Sequence, residues 1–183
     1  MPVAWAPLPL SNGSIEVARL PLVALGDMPA ALQDAVERGQ RSRMLSSVTP
    51  VQVWAHRPAA ALAWLELMEN LHSESLLPER LRELVRLRIA SITTCQACQL
   101  ARKSDTVTEQ DIACMASDSA WFSPQERAAL RYAELFASDY LAIDDQHFSQ
   151  LKGCFSAAQI AELGMYCALM LAGGRMTLVQ QAY

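Results

Sequence analysis

The sequence predicts an all-α fold, and three observations support this prediction. From Asp27 onward, apolar residues recur with the period of amphipathic helices, and no segment shows convincing β-strand alternation. Proline, glycine and capping residues divide this stretch into one helix after another. The 183 residues, 52% of them hydrophobic, suffice for a single core. We therefore predict one helical domain over residues 27–183, preceded by an N-terminal arm over residues 1–26, where four prolines interrupt any period.

Four helices are predicted in the first half of the domain. Proline lies at or near the first position of several of them, and Thr49 has the position of an N-cap before Pro50. A break is expected over residues 91–94, where β-branched and hydroxyl side chains favour a cap over a helix interior. The predicted ranges are 29–39, 49–56, 58–72 and a helix that starts at Pro78.

The second half has its clearest boundary at Ser123, which forms a capping box with Glu126 around Pro124. The helix that starts there should end near Tyr140. The other predicted boundaries are Thr108 to about Met115, Asp144 or Asp145 to Gly153, and Ser156 to about Gln181. The last of these helices is almost uncharged over residues 164–173, so we expect it to be the central helix of a bundle or to meet another subunit.

The composition excludes several classes of function. The formal net charge of −4 provides no basic surface for nucleic acid. The N-terminus lacks the basic and apolar regions of a signal peptide, and no apolar run has the length expected of a bilayer span. We therefore expect a soluble, cytoplasmic protein that binds neither nucleic acid nor membrane.

The feature richest in chemistry is the Cys-x-x-Cys pair formed by Cys95 and Cys98. If Thr94 caps a helix, Cys95 takes its first position and Cys98 follows one turn later, where the two sulfurs can approach bonding distance. Arg102, four residues further on, would share this face. The helix N-terminus and the arginine charge both favour thiolates, so the pair is predicted to be reactive. Charge alone does not tell which sulfur is the nucleophile.

Two other readings of this pair remain open. A Cys-x-x-Cys can be half of a zinc site, although none of the candidate ligands Cys114, Cys154, Cys167 and His147 forms a second closely spaced pair. The two cysteines can also be small apolar core residues. We assign the three single cysteines to packing.

Glu83 is the second candidate site residue, and the pattern leaves its environment open. It can pair with Arg80 or Arg86 on a solvated face, or it can be a buried carboxylate that exchanges protons with the dithiol. On the same helix Arg88 falls within the apolar stripe, so we expect a carboxylate opposite it.

The segment from Pro78 to Lys103 resembles the carboxymuconolactone decarboxylase superfamily, in its alkylhydroperoxidase AhpD-like branch. The resemblance rests on a Glu twelve residues before the first cysteine, here Glu83 and Cys95, within a phrase similar to Leu-Arg-Glu-Leu-Val-Arg-Leu-Arg-Ile-Ala. It continues more weakly over roughly the last two-thirds of the chain. It implies an AhpD-like helical bundle that forms a homo-oligomer, most often a trimer or hexamer.

The resemblance also implies roles for the site residues. Cys98 would attack a peroxide or a partner disulfide, Cys95 would resolve the product, and Glu83 would relay protons. Such a cycle needs no bound cofactor, only a thiol reductant. The family motif has a histidine where this chain has Arg102, and some members have another at the position of Ala97. Arginine can stabilise a thiolate but cannot shuttle a proton near neutral pH.

The leading hypothesis is therefore a thiol-dependent antioxidant or peroxidase-like protein that uses a Cys95/Cys98 dithiol–disulfide cycle. One alternative is a carboxymuconolactone decarboxylase-like or small-molecule-binding protein whose pocket lies elsewhere. Another is a redox-sensing module without peroxidase turnover.

Overall fold

Helices account for all the regular secondary structure in the computed structural model, which describes residues 18–115 and 120–182. This confirms the all-α prediction. The predicted arm lies outside the described residues over positions 1–17, and the division at residue 26 remains a prediction. The α-helices of the described ranges are α1 (Ala30–Arg41), α2 (Thr49–Trp54), α3 (Pro58–Ser73), α4 (Glu79–Ile92), α5 (Gln96–Leu100), α6 (Glu109–Ala113), α7 (Pro124–Ser138), α8 (Asp145–Lys152) and α9 (Ala157–Gln180).

Most helices of the second half begin at a residue whose side chain caps the helix N-terminus by hydrogen bonds. The side chain of Ser123 accepts the Glu126 N–H, and the Glu126 carboxylate accepts the Ser123 N–H, as the capping box requires. The predicted caps at Thr108 and Ser156 are also present, and Asp144 rather than Asp145 caps α8. These boundaries are confirmed because each depends on residues no more than three positions apart.

The predicted cap of α2 is wrong by one residue. Val48 is the N-cap and Thr49 is already helical, with Pro50 following it. The Thr49 hydroxyl accepts a hydrogen bond from the Ser47 hydroxyl at 3.1 Å, and Ser47 also accepts the Thr49 N–H at 3.2 Å. Thr49 therefore uses its hydroxyl in the preceding turn rather than on the helix.

α4 is the central helix of the fold, because side chains on both of its faces are buried. Its apolar stripe, with Leu84 and Val85, packs against α7 and α9. The opposite face, with Glu83 and Arg86, is covered by α5 and the chain that follows it. α1, α2 and α3 form a second apolar cluster beside this core.

α9 is buried on one side only. Tyr166 and Cys167 face the core, whereas Met165 is 50% exposed and Val179 is 63% exposed. The central position that we considered for the last helix belongs to α4 instead. Among the described residues α9 is the one helix long and apolar enough to cross a membrane by length and composition, a test that a core helix also passes. It packs against α3, α4, α7 and α8.

Candidate active site

A sharp turn between α4 and α5 positions the two cysteines. α4 ends at Ile92, and Thr94 has a left-handed backbone with φ of 53°, which is uncommon for a β-branched residue. Cys95 is the N-cap of α5, and its sulfur accepts the Cys98 N–H at 3.3 Å. Our assignment of the cap to Thr94 is therefore wrong by one residue, because the turn at Thr94 gives the capping position to Cys95.

Cys95 and Cys98 form a disulfide, with their Cα atoms 5.2 Å apart. The two residues differ in access. Cys95 is buried, with 7% of its surface exposed, whereas Cys98 is half-buried and lines a cavity. Across the described residues, no group of three metal-ligating side chains that could hold a metal ion is found. Of the two cysteines, Cys98 is therefore the one that a molecule in the cavity can contact.

Glu83 lies in the protein interior, paired with Arg86 one turn along α4. The Arg86 guanidinium donates to both carboxylate oxygens at 2.7 Å, and the Lys103 backbone N–H donates to Glu83 Oε1 at 3.1 Å. The exposed fraction of Glu83 is 2%. The predicted pairing with Arg86 is thus present, but in a buried rather than a solvated setting.

Arg86 connects this carboxylate to the cysteine segment. Its Nη1 donates to the Cys98 carbonyl and its Nη2 to the Ala101 carbonyl, both at 2.6 Å. Carbonyls at the end of a helix have no partner within the helix, so the guanidinium supplies the missing donors for α5. The Glu83–Arg86 pair therefore fixes the backbone of Cys98.

Arg102 does not share a helical face with the cysteines. α5 ends at Leu100, two residues earlier, so the i+4 relation that we inferred from Cys98 does not exist. The Arg102 side chain donates to the Gln99 carbonyl and pairs with Glu109 at 3.1 Å. Its predicted influence on the thiols remains untested, but its helical premise is wrong.

Lys103 is a site residue that the sequence analysis missed. Its Nζ donates to the Met44 carbonyl at 2.7 Å and to the Ser46 hydroxyl, and the residue lines the same cavity as Cys98. Burial, with a smaller effect of the Arg86 charge, lowers the pKa of the Lys103 ammonium to about 8. A lone lysine in a loop has no periodic signal, so the sequence offered no way to identify it.

The cavity beside Cys98 has a volume of about 220 Å³ and lies among α2, α3, α4, α5 and α9. One wall carries Trp54 and Trp64, whose rings meet edge to face with centroids 6.2 Å apart. Another carries Tyr166, whose phenol pKa is raised by burial, so it remains a protonated hydroxyl at neutral pH. The sequence analysis also missed these aromatic residues. They lie on three separate helices, α2, α3 and α9, and no sequence pattern links them.

Comparisons with known proteins agree with this architecture. Residues 58–135, which run from the start of α3 into α7, match the carboxymuconolactone decarboxylase family. This confirms the resemblance identified in the segment from Pro78 to Lys103. A search of curated proteins gives no significant match.

Several solved structures share the fold. An uncharacterised peroxidase-related protein from Ralstonia eutropha JMP134, described as an alkylhydroperoxidase AhpD core, aligns over 93% of both chains, with a TM-score of 0.73 and 16% identity. The debrominase Bmp8 aligns over 93% of this chain and 92% of its own, with a TM-score of 0.75 and 18% identity. A protein of unknown function from Agrobacterium tumefaciens, linked by its name to the antioxidant defence protein AhpD, covers 70% of this chain and 92% of its own, with a TM-score of 0.62 and 24% identity.

Proposed function

Because the chain carries a carboxymuconolactone decarboxylase family segment at residues 58–135 and has the AhpD-like fold, we propose that it is a thiol-dependent oxidoreductase with peroxidase-like activity. The observation that carries the proposal is the Cys95–Cys98 disulfide, with Cys98 at a cavity and Cys95 buried behind it. We place this activity in the cytoplasm, in a homo-oligomer.

The proposed cycle starts from the reduced pair. The Cys98 thiolate attacks one peroxide oxygen, the O–O bond breaks, and the other oxygen leaves as an alcohol or water after protonation. Cys98 is now a sulfenic acid, and the Cys95 thiol displaces its hydroxyl as water while the disulfide forms. A small dithiol reductant then restores both thiols by exchange. One peroxide and two reducing equivalents are consumed in each turn.

For Glu83 we propose a positioning role in addition to the expected proton relay. Both of its oxygens already accept hydrogen bonds from Arg86, and Arg86 in turn holds the Cys98 carbonyl. A Glu83→Gln variant separates the roles. Positioning predicts a lower rate with an unchanged pH–rate profile, whereas a relay predicts the loss of one limb of that profile.

The proposal is tested by peroxide consumption in the presence of dithiothreitol. The wild-type protein should consume peroxide, and Cys98→Ser should abolish this activity. Without reductant, pre-reduced Cys95→Ser should consume one peroxide per chain and stop with Cys98 as a sulfenic acid, because dithiothreitol would otherwise take over the resolving step. Cys154→Ser, at a half-buried free cysteine, is the matched control and should retain full activity.

Turnover that survives Cys98→Ser would overturn the proposal. Clean disulfide formation with peroxide, but no turnover with any dithiol reductant, would instead support the redox-sensing alternative. Unchanged Cys95 and Cys98 thiols after peroxide treatment would favour a carboxymuconolactone decarboxylase-like reaction that does not use them.

The aromatic wall of the cavity favours a second candidate, the reductive removal of a halogen from an aromatic ring. A structural neighbour, the debrominase Bmp8, has been solved as a cysteine-to-alanine variant in complex with 2,3,4-tribromopyrrole. In this reaction the Cys98 thiolate would take the halogen from carbon, a proton would replace it, and Cys95 would release halide as the disulfide forms. Bromide release from a brominated pyrrole, lost in Cys98→Ser, tests this candidate.

A further inference from the structure

The cavity next to Cys98 is larger than a peroxide group requires. Its volume is about 220 Å³, and an engineered apolar cavity of about 150 Å³ already accommodates benzene. Hydrogen peroxide has only two heavy atoms. The space therefore fits an organic molecule of at least the size of a substituted aromatic ring.

One part of this cavity suits an apolar, planar body. Trp54 and Trp64 stand edge to face, with an interplanar angle of 73°, and Met68, Leu169 and Met170 line the adjoining surface. Among buried polar atoms of the described residues, the Trp64 indole nitrogen has no hydrogen-bond partner. Aromatic faces and methionine sulfur adapt well to flat ligands.

The cavity lining also carries a positive charge, on Lys103, that forms no salt bridge within the described residues. Lys103 Nζ has two hydrogen-bond partners in the described structure, the Met44 carbonyl and the Ser46 hydroxyl, and both are neutral. The cavity lining contains no aspartate or glutamate within the described residues. The Glu83 charge acts on Lys103 through space, but the Glu83 carboxylate is already paired with Arg86.

An unpaired, largely buried ammonium is unfavourable, as the lowered pKa of Lys103 indicates. A buried cation without an ion-pair partner, in the wall of a cavity, is a candidate site for binding the anionic group of a ligand. The second cation of the lining, Arg86, adds to the positive potential, although Glu83 compensates most of it.

We propose that this cavity binds an organic acid, with its aromatic or apolar body against Trp54 and Trp64 and its anionic group at Lys103. The ligand would then lie against Cys98, so the proposal names the substrate class of the dithiol site. It rests on the proposed function for the reaction at Cys98, but binding itself does not require that reaction.

Two glycines of α9 line the same cavity as Cys98. A Cβ added at Gly174 would lie 3.9 Å from the Cys98 sulfur, and one at Gly173 would lie 3.8 Å from Cζ2 of Trp64. Both are van der Waals contact distances, so a side chain at either position would take up part of the cavity next to the sulfur or next to Trp64.

The test compares 2-naphthoate with 2-naphthamide, a neutral molecule of nearly the same shape. Calorimetry on the oxidised protein, in which the disulfide prevents turnover, should show naphthoate binding about 10- to 100-fold more tightly, the worth of one charge-assisted hydrogen bond. Lys103→Met should remove this preference, and Lys103→Arg should keep most of it. Lys152→Met, at an exposed position on α8, should leave it unchanged.

Equal affinity of the wild-type protein for both compounds would overturn the proposal, and so would a preference that persists in a folded Lys103→Met protein. Circular dichroism of each variant shows whether it is folded. Hydrogen peroxide consumption is a separate readout. If it proceeds normally while naphthoate does not bind, the substrate class is wrong and the oxidoreductase stands. If naphthoate binds selectively but no oxidant forms the disulfide, the oxidoreductase is wrong and the anion site stands.

Discussion

Arg86 donates to both carboxylate oxygens of Glu83 at 2.7 Å, and the same guanidinium reaches two backbone carbonyls of the cysteine segment. The side chains of Arg86 and Glu83 are only 7% and 2% exposed. One buried ion pair thus connects the central helix to the residue that we propose as the nucleophile. Its removal should affect the stability of the whole fold.

Arg86→Met should lower the free energy of unfolding by about 3–5 kcal/mol, because it leaves the Glu83 carboxylate buried without its charged partner. Urea denaturation of the oxidised protein measures this loss. Arg38→Met is the matched control, since Arg38 forms a similar two-pronged pair with Glu69 at the surface. The loss in unfolding free energy of this control should be only a small fraction of the loss in Arg86→Met, because its ion pair is exposed to solvent. Equal losses in the two variants would show that burial of the Glu83–Arg86 pair is unimportant.

Because of Lys103, the free energy of unfolding should rise as the pH rises. Its folded-state pKa of about 8 is below the value of 10.5 for a free lysine, so the unfolded chain binds more protons between these pH values. The free energy of unfolding should therefore rise with pH in this window, relative to a Lys103→Met protein. The charged or titratable groups near it are Arg86 and Glu83 of α4, His72 of α3, Cys98 of α5 and Tyr166 of α9.

Thermal denaturation of both proteins across this window measures the effect of Lys103. The difference in melting temperature between wild type and Lys103→Met should shift in favour of the wild type as the pH rises. Parallel pH profiles for the two proteins would contradict the lowered pKa.

Gly174→Ala should discriminate between peroxides by size. The added methyl group would lie 3.9 Å from the Cys98 sulfur, so cumene hydroperoxide should react about tenfold more slowly while hydrogen peroxide reacts normally. The variant should also be slightly more stable, by about 0.5–1 kcal/mol, because alanine favours the helix. Gly173→Ala, whose methyl group faces Trp64 instead, is the control and should slow the bulky peroxide less. A Gly174→Ala protein that reacts equally slowly with both peroxides would refute a steric effect.

The exposed side of α9 should be a surface for self-association, which accords with the homo-oligomer that we propose. Ala161, Met165, Ala168 and Ala172 are exposed and recur at helical spacing along it. Met165→Glu should reduce the mass measured by light scattering after size-exclusion chromatography. Leu141→Glu, at a residue 82% exposed in the turn after α7, should leave the mass unchanged. An assembly that tolerates the glutamate at position 165 would exclude this side of α9 as the interface.

The elements that could be predicted from the sequence depend on short-range chemistry. The capping box at Ser123 and the helix start at Ser156 could be predicted because the residues that form each cap lie within three positions of each other. The carboxylate expected opposite Arg88 is also present, as Glu134 of α7 at 2.9 Å. That expectation followed from one rule: an arginine within the apolar stripe of a helix needs an oppositely charged partner or a path to solvent.

The predictions failed where residues far apart in the sequence determine the local structure. The pattern around Cys98 suggested a helix that continues through Arg102, but α5 ends at Leu100, and Arg86 binds the carbonyls of Cys98 and Ala101 there. Lys103 and the tryptophans of the cavity could not be identified either, because the cavity joins helices far apart in the sequence.

The hydrogen bonds from Arg86 to the Cys98 and Ala101 carbonyls involve only backbone oxygens of the cysteine segment. Because neither sulfur takes part in them, we expect these hydrogen bonds to be kept when the disulfide is reduced. The cycle that we propose would then need only side-chain rotation at Cys95 and Cys98, with the main chain held in place by Arg86. In that case we expect exchange with the reductant, rather than a rearrangement of the main chain, to limit the rate of turnover.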